Sequence, residues 1–164
     1  MPTISATLTN DCKYISYTVQ GADGTASVDI TVGTVTHTTS VVLSGGTGSM
    51  VVPTSNFTTS NGVYQLKLQD SAGDVAYAAA LGHCDLDCCL AKKTNELLEC
   101  SCSCDKCSTI LAQAQRIFLL IKAAETAVAQ VGSDVTKNQG LIIDAESKYS
   151  KALELCGSSC GCNC

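Results

Sequence analysis

Twelve cysteines are unevenly distributed in this chain of 164 residues, and their positions restrict the fold more than any other feature. Seven of them lie in the stretch HCDLDCCLAKKTNELLECSCSCDKC, from His83 to Cys107. Four more, Cys156, Cys160, Cys162 and Cys164, lie in the last nine residues. Clustered sulfur atoms pair or bind metal only at short range. The segment between the two groups is therefore predicted to fold back on itself.

Apolar spacing from Asp85 onward is helical. A short helix that Asp85 or Asp87 can cap carries Leu86, Leu90, Leu97 and Leu98. A long amphipathic helix is predicted from about Asp105 to Val131 and another from about Asp134 to Leu155, with Gly132 as the C′ residue and Ser133 as the next cap. Two helices joined by so short a turn run antiparallel. This hairpin places Cys107 opposite Ser159 and Cys104 opposite Cys162.

Residues 1–82 alternate apolar and polar positions with a period of two. The runs are bounded by turn signals such as Gly21–Gly24, Gly45–Gly48 and Asn61–Gly62. About seven short strands at this spacing predict an antiparallel Ig-like β-sandwich. Cys12 is predicted to be a buried apolar residue of a strand. The predicted fold class is α+β, with a β-sandwich over 1–82 and a cysteine-rich helical hairpin over 83–164.

Composition argues against two classes of partner. A net charge of −5 with ten Lys and Arg and few aromatic residues disfavours direct nucleic-acid binding. The longest apolar stretch, Ile117–Ile121, is too short to cross a membrane.

The sequence starts without a basic segment followed by an apolar one, as a secretory leader would have. This favours synthesis in a cytoplasm.

The cysteine spacing leaves zinc and disulfides open as alternatives. Thiolates suit tetrahedral Zn²⁺, and the first predicted ligand set is Cys104, Cys107, Cys160 and Cys162. The second choice is Cys84, Cys88, Cys100 and Cys102. Disulfides across the base of the hairpin would equally stabilise it, by roughly 4 kcal/mol for a loop of about fifty residues. Redox catalysis is disfavoured because no Cys-x-x-Cys opens a helix after a parallel strand.

No residue pattern predicts an enzyme. His83 reads as a polar residue at the joint between the two regions, and Asp85 and Asp87 read as helix-capping charges. His37 lies in the middle of a strand among threonines. The hairpin instead presents an apolar stripe, and Ile117, Leu120 and Ile121 are predicted to form an interface with a neighbouring subunit.

The order of these parts resembles a family of small virion proteins from tailed bacteriophages, in particular phages of marine bacteria and the crAss-like group. The resemblance rests on Asn61-Gly-Val-Tyr-Gln-Leu at the end of the β-region, on Cys84-Asp-Leu-Asp-Cys-Cys-Leu-Ala-Lys92, and on Cys104 and Cys107 downstream. It covers roughly Val41 to Val131. It implies a head-to-tail neck ring or adaptor subunit, assembled in the host cytoplasm as a homo-oligomer with portal, adaptor or tail proteins as partners.

Two other functions fit the residues. A thiolate-cluster protein would bind several soft metal ions per chain. An extracellular adhesin or fibre subunit would use the β-region for binding and carry oxidised cysteines.

Overall fold

The computed structural model describes residues 1–21, 24–100 and 104–157, without the side chains of residues 104 and 105. Two antiparallel sheets containing seven strands come first and helices follow, which confirms the predicted α+β class. The strands are β1 Thr3–Leu8, β2 Tyr14–Gln20, β3 Gly24–Val32, β4 Val35–Leu43, β5 Thr47–Pro53, β6 Gly62–Gln69 and β7 Val75–Gly82. The helices are α1 Cys84–Leu98, α2 Cys104–Ala129 and α3 Val135–Cys156, and a short 3₁₀ turn follows β5.

The two sheets pack around one core. The first sheet has the strand order β1-β2-β5 and the second the order β4-β3-β6-β7. Alternate residues of both sheets point into this core, because successive side chains of a strand face opposite sides. Its fully buried members are Ile15, Tyr17, Val19, Val28, Ile30, Tyr64, Leu66 and Leu68.

Strand β5 has no counterpart among the apolar runs of the sequence. It starts with Thr47 and Gly48, and only Val52 is fully buried. A Cβ on Gly48 would lie 2.7 Å from the carbonyl oxygen of Val42, so glycine permits this close approach of β5 to β4. The segment pairs with β2 along its whole length. Its position thus depends on pairing with a strand distant in sequence, which local periodicity does not show.

The helices cover the outer face of strands β6 and β7. Val63 of β6 packs with residues from the end of α2 and the start of α3, namely Ala124, Ala127, Val128, Ile142 and Ala145. Farther along, the middle of α2 packs against α1 and the end of α3 through Ile117, Ile121, Leu86, Cys89 and Ala152. Helices α2 and α3 therefore run antiparallel, as predicted. The strands end at Gly82 and α1 begins at Cys84, but the division into separate domains stays a prediction.

The turn between α2 and α3 is organised by Asn138. Its side chain is 3 % exposed, accepts a hydrogen bond from the Gly132 N–H at 3.0 Å and donates one to the Gly132 carbonyl at 2.6 Å. Helix α2 already ends at Ala129, so Gly132 is not its C′ residue. Asp134, rather than Ser133, caps α3 by accepting a bond from the N–H of Lys137.

Replacing Asn138 by Ala should lower the free energy of unfolding by about 1–3 kcal/mol, because both partly buried backbone groups of Gly132 lose their partner. Urea unfolding followed by circular dichroism measures this change. Gln139→Ala is the matched control, since Gln139 is the exposed neighbour on the same helix. Equal effects of the two substitutions would contradict the assigned role of Asn138.

Stability should fall at alkaline pH through Tyr64. Burial raises the pKa of this phenol to about 12, against about 10 in the unfolded chain. The neutral phenol thus stabilises the fold fully below about pH 10, and this contribution is lost as the pH rises from about 10 to about 12. Two pKa units correspond to about 2–3 kcal/mol.

Urea unfolding at about pH 9 and about pH 12 tests this, because Tyr64→Phe should lose less stability between the two values than the wild type. Tyr14→Phe, at a ring that is 44 % exposed, is the matched control. Equal pH dependence of the wild type and Tyr64→Phe would contradict the prediction.

Candidate functional site: the disulfide-bonded joint

A disulfide joins the first sheet to the helices. Cys12 bonds to Cys84 with the two Cα atoms 6.2 Å apart and a sequence separation of 72. Cys12 lies in the turn between β1 and β2, with a positive φ of 54° that residues other than glycine rarely adopt. The prediction that Cys12 is an unpaired apolar strand residue is therefore wrong. Its partner is the first residue of α1, which folding brings across from the other end of the β-region.

Two further disulfides hold the helices. Cys89 of α1 bonds to Cys156, the last residue of α3. Cys100 follows α1 and bonds to Cys107 in the first turns of α2. Cys88 is disulfide-bonded as well. Sulfur thus connects α1 to the end of α3, and the residue after the C-cap of α1 to the first turns of α2.

The predicted zinc ligands are divided by this arrangement. The disulfide-bonded members are Cys107 of the first set and Cys84, Cys88 and Cys100 of the second. A disulfide sulfur is not the thiolate that zinc binds. The described part of the chain does not include the side chain of Cys104, nor any part of Cys102, Cys160 and Cys162. Within the described part of the chain, no three His, Cys, Asp or Glu side chains are placed to hold a metal ion. The zinc hypothesis stays a prediction.

His83 lies between two carboxylates at this joint. Its Nδ1 is 2.9 Å from Asp87 Oδ2 on α1, and its Nε2 is 3.0 Å from Glu125 Oε1 on α2. The Nδ1 contact does not have the alignment of a hydrogen bond. Glu125 also receives Lys122 Nζ at 2.9 Å. His83 therefore connects the end of the sheet to two helices, which agrees with a polar residue at a joint.

Asp85 fixes the start of α1 in a second way. Its carboxylate accepts a 2.7 Å bond from the Tyr149 hydroxyl of α3, and its backbone N–H donates to the side chain of Asn61 before β6. Burial first, and then the adjacent Asp85 charge, raise the pKa of Tyr149 above its ordinary value. Asp85 thus connects α1 to α3 through its carboxylate and to the residue before β6 through its backbone N–H. The prediction that Asp85 or Asp87 caps α1 is wrong, because His83 is the N-cap and makes no side-chain cap bond. Both aspartates lie in the first turn of α1, where Asp85 accepts a bond from the Leu86 N–H.

The three residues predicted for an interface face the interior of the helical layer. Ile117 and Ile121 are 0 % and 3 % exposed and pack against α1 and α3, and Leu120 is partly buried beside them. The opposite face of α2 carries exposed apolar residues: Leu111, Phe118 and Leu119 are 47 %, 49 % and 65 % exposed. Lys122 lies over the Phe118 ring, with Nζ 5.6 Å from the ring centroid. The apolar stripe is a packing surface, as its spacing predicts, but α1 and α3 of the same chain already cover it.

The joint connects secondary-structure elements of the β-region and the helices to one another. A cavity of about 160 Å³ lies beside the Cys12–Cys84 disulfide, next to His83 and Asp87. Pockets for small ligands are usually larger, about 300–1,000 Å³. The chemistry that the described residues supply here is covalent cross-linking and ion pairing between secondary-structure elements.

Removing a long-range disulfide should destabilise the fold more than removing the short one. In the chain-entropy model, closing the loop between Cys12 and Cys84 stabilises by about 4 kcal/mol and closing that between Cys100 and Cys107 by about 2.5 kcal/mol. The matched variants are Cys12→Ala/Cys84→Ala and Cys100→Ala/Cys107→Ala, each compared with the oxidised wild type in guanidinium unfolding. The reverse order of destabilisation would contradict this assignment.

The described helices contain no stretch with the length and apolar character needed to span a membrane. Comparisons with known proteins give no relative for this chain: no family model, no curated protein and no solved structure matches it.

Proposed function

We propose that this chain is a structural subunit of a tailed-phage virion, a neck or connector ring component or adaptor between head and tail, without catalytic activity. In this proposal the two sheets form an Ig-like sandwich and the cysteines cluster at the base of the helical hairpin. The partners are portal, adaptor or tail proteins and further copies of the chain. Its place is the virion, assembled in the host cytoplasm.

The exposed apolar face of α2 carries the proposal. Leu111, Phe118 and Leu119 lie on one side of the helix, two turns apart, and none of them joins the cores of the chain. Large exposed apolar side chains on one side of a helix are typical of a protein contact. Aromatic residues such as Phe118 are common at the centre of such contacts.

The disulfide-bonded joint supports the same role. Cys12–Cys84 and Cys89–Cys156 attach α1 to the sheets and to α3, so the α2 face has a fixed position relative to the β-region. A preformed surface loses little conformational freedom when it binds, which strengthens association. The resemblance in the segment Cys84–Lys92 to small virion proteins supplies the class of assembly.

Two aspartates on the α2 face should weaken the association made through this face without unfolding the chain. Phe118→Asp/Leu119→Asp places charge on side chains that are already exposed, so the thermal midpoint should change little while association weakens at least about tenfold, because a charge must be desolvated in the contact. Light scattering of the pure chain and co-purification with the portal protein from the same genome measure association.

Ile143→Asp/Val135→Asp is the matched control, because these α3 residues are 59 % and 58 % exposed but lie on another helix. A wild-type chain that binds neither the portal nor the tail proteins would overturn the virion assignment. So would a Phe118→Asp/Leu119→Asp variant that assembles like the wild type.

The disulfides favour one second candidate, an extracellular adhesin or fibre subunit. Oxidised pairs persist outside the reducing cytoplasm, and Cys12–Cys84, Cys89–Cys156 and Cys100–Cys107 are such pairs. Surface labelling of cells that carry the gene, with virions purified in parallel, distinguishes the two locations.

A further inference from the structure

Strand β4 forms one outer edge of the four-stranded sheet and carries backbone groups that no strand among the described residues pairs. The order β4-β3-β6-β7 leaves β4 bonded to β3 alone. The register runs from Gly24↔Leu43 to Val32↔Val35 without a bulge, and a two-residue turn closes the hairpin. Val32 and Val35 are therefore a hydrogen-bonded pair, and every second residue from Val35 bonds to β3.

The even-numbered residues of β4 consequently direct their N–H and C=O groups away from β3. Ser44 illustrates this at the end of the row, because it exchanges both backbone hydrogen bonds with Thr47. The carbonyl oxygen of Val42 likewise faces Gly48 of β5. The other even-numbered residues of β4 are Thr36, Thr38 and Ser40. Their outward backbone groups have no backbone partner among the described residues.

This edge lacks the features by which natural sheets prevent pairing. Protected edges are short, bulged, or carry Lys, Pro or inward charges. Strand β4 is nine residues long, VTHTTSVVL, with no Lys, Arg, Asp, Glu or Pro. Its outward side chains Thr36, Thr38 and Ser40 are exposed and small. The edge is therefore open to a further strand.

We propose that β4 pairs antiparallel with β4 of a second copy about a twofold axis at Thr38, which joins two four-stranded sheets into one. Thr38 then lies opposite Thr38 of the other copy, and Thr36 lies opposite Ser40. In this register, residues whose backbone groups point outward lie opposite one another. Each of these pairs therefore exchanges two hydrogen bonds. An interface about a twofold axis requires such self-complementarity.

The side chains fit this occupant. Hydroxyl residues stand opposite hydroxyl residues, and cross-strand Thr and Ser pairs are favourable. The nearest charge on this face is Asp29 of β3, which accepts from Thr38 at 2.6 Å and lies opposite Lys67 of β6. The two Asp29 carboxylates would be three strand spacings apart, about 14 Å, beyond the screening length of about 8 Å at physiological salt.

The proposed pairing deepens the subunit role by naming one contact between copies, but it does not need the α2 face or a virion. Sedimentation equilibrium of the oxidised full-length chain should show a monomer–dimer equilibrium. Thr38→Lys should weaken dimerisation at least about tenfold, since two like charges then stand directly opposite each other on residues whose Cβ atoms are about 5 Å apart. Thr38→Glu should weaken it similarly.

Mixing the Thr38→Lys and Thr38→Glu chains should restore the dimer, because opposite charges meet at the axis. Thr7→Lys, an equally exposed threonine of β1 in the other sheet, is the matched control, and thermal midpoints establish that each variant is folded. A wild type that stays monomeric at millimolar concentration, unchanged dimerisation of Thr38→Lys, or failure of the mixed chains to associate would each overturn the proposal. Dimerisation by Phe118→Asp/Leu119→Asp would separate this contact from the proposed α2 contact.

Discussion

Close packing of alanine residues between sheet and helices is the interaction on which the rest of the structure depends. Strand β7 carries Ala76, Ala78 and Ala80 toward the core of the two sheets and Ala79 and Leu81 toward the helices. Small side chains on both faces let β7 lie in the middle of the layers, and Ala124 and Ala145 do the same from the helical side. Larger residues here would move the helices outward, because packed interiors accommodate added volume poorly.

The sulfur chemistry follows from that packing. Once α2 and α3 lie on β6 and β7, the first residue of α1 meets the β1–β2 turn, and the end of α3 meets α1. Disulfide formation requires Cα atoms within about 7 Å, so the noncovalent contacts must form first or together with the bonds. His83 and Asp85 lie at the same joint and add ionic and hydrogen-bonded contacts to it. The cross-links therefore reinforce an arrangement that apolar burial selects.

The sequence predicted what depends on neighbouring residues and missed what depends on distant ones. Helix limits at Asp105–Val131 and Asp134–Leu155 were within two residues of the observed ends, because helical periodicity is local. Strand β5 and the bond of Cys12 depend on partners tens of residues away. The stripe at Ile117, Leu120 and Ile121 showed that one face is buried, but a single periodicity does not tell whether the covering surface belongs to the same chain. Hence the exposed face of α2 was overlooked.

The two surfaces proposed for association are compatible with one assembly. Helices lie over β6 and β7, whereas β4 is at the opposite edge of that sheet, so a copy on one surface leaves the other free. A twofold contact alone closes after two copies, because each copy uses the same patch. A second contact through α2, made to a different surface of a neighbour, would link such pairs further. A head-to-tail contact forms a ring when its rotation closes, and the twofold contact would then join copies in pairs. A body fixed by long-range disulfides keeps the relative orientation of the two contacts constant.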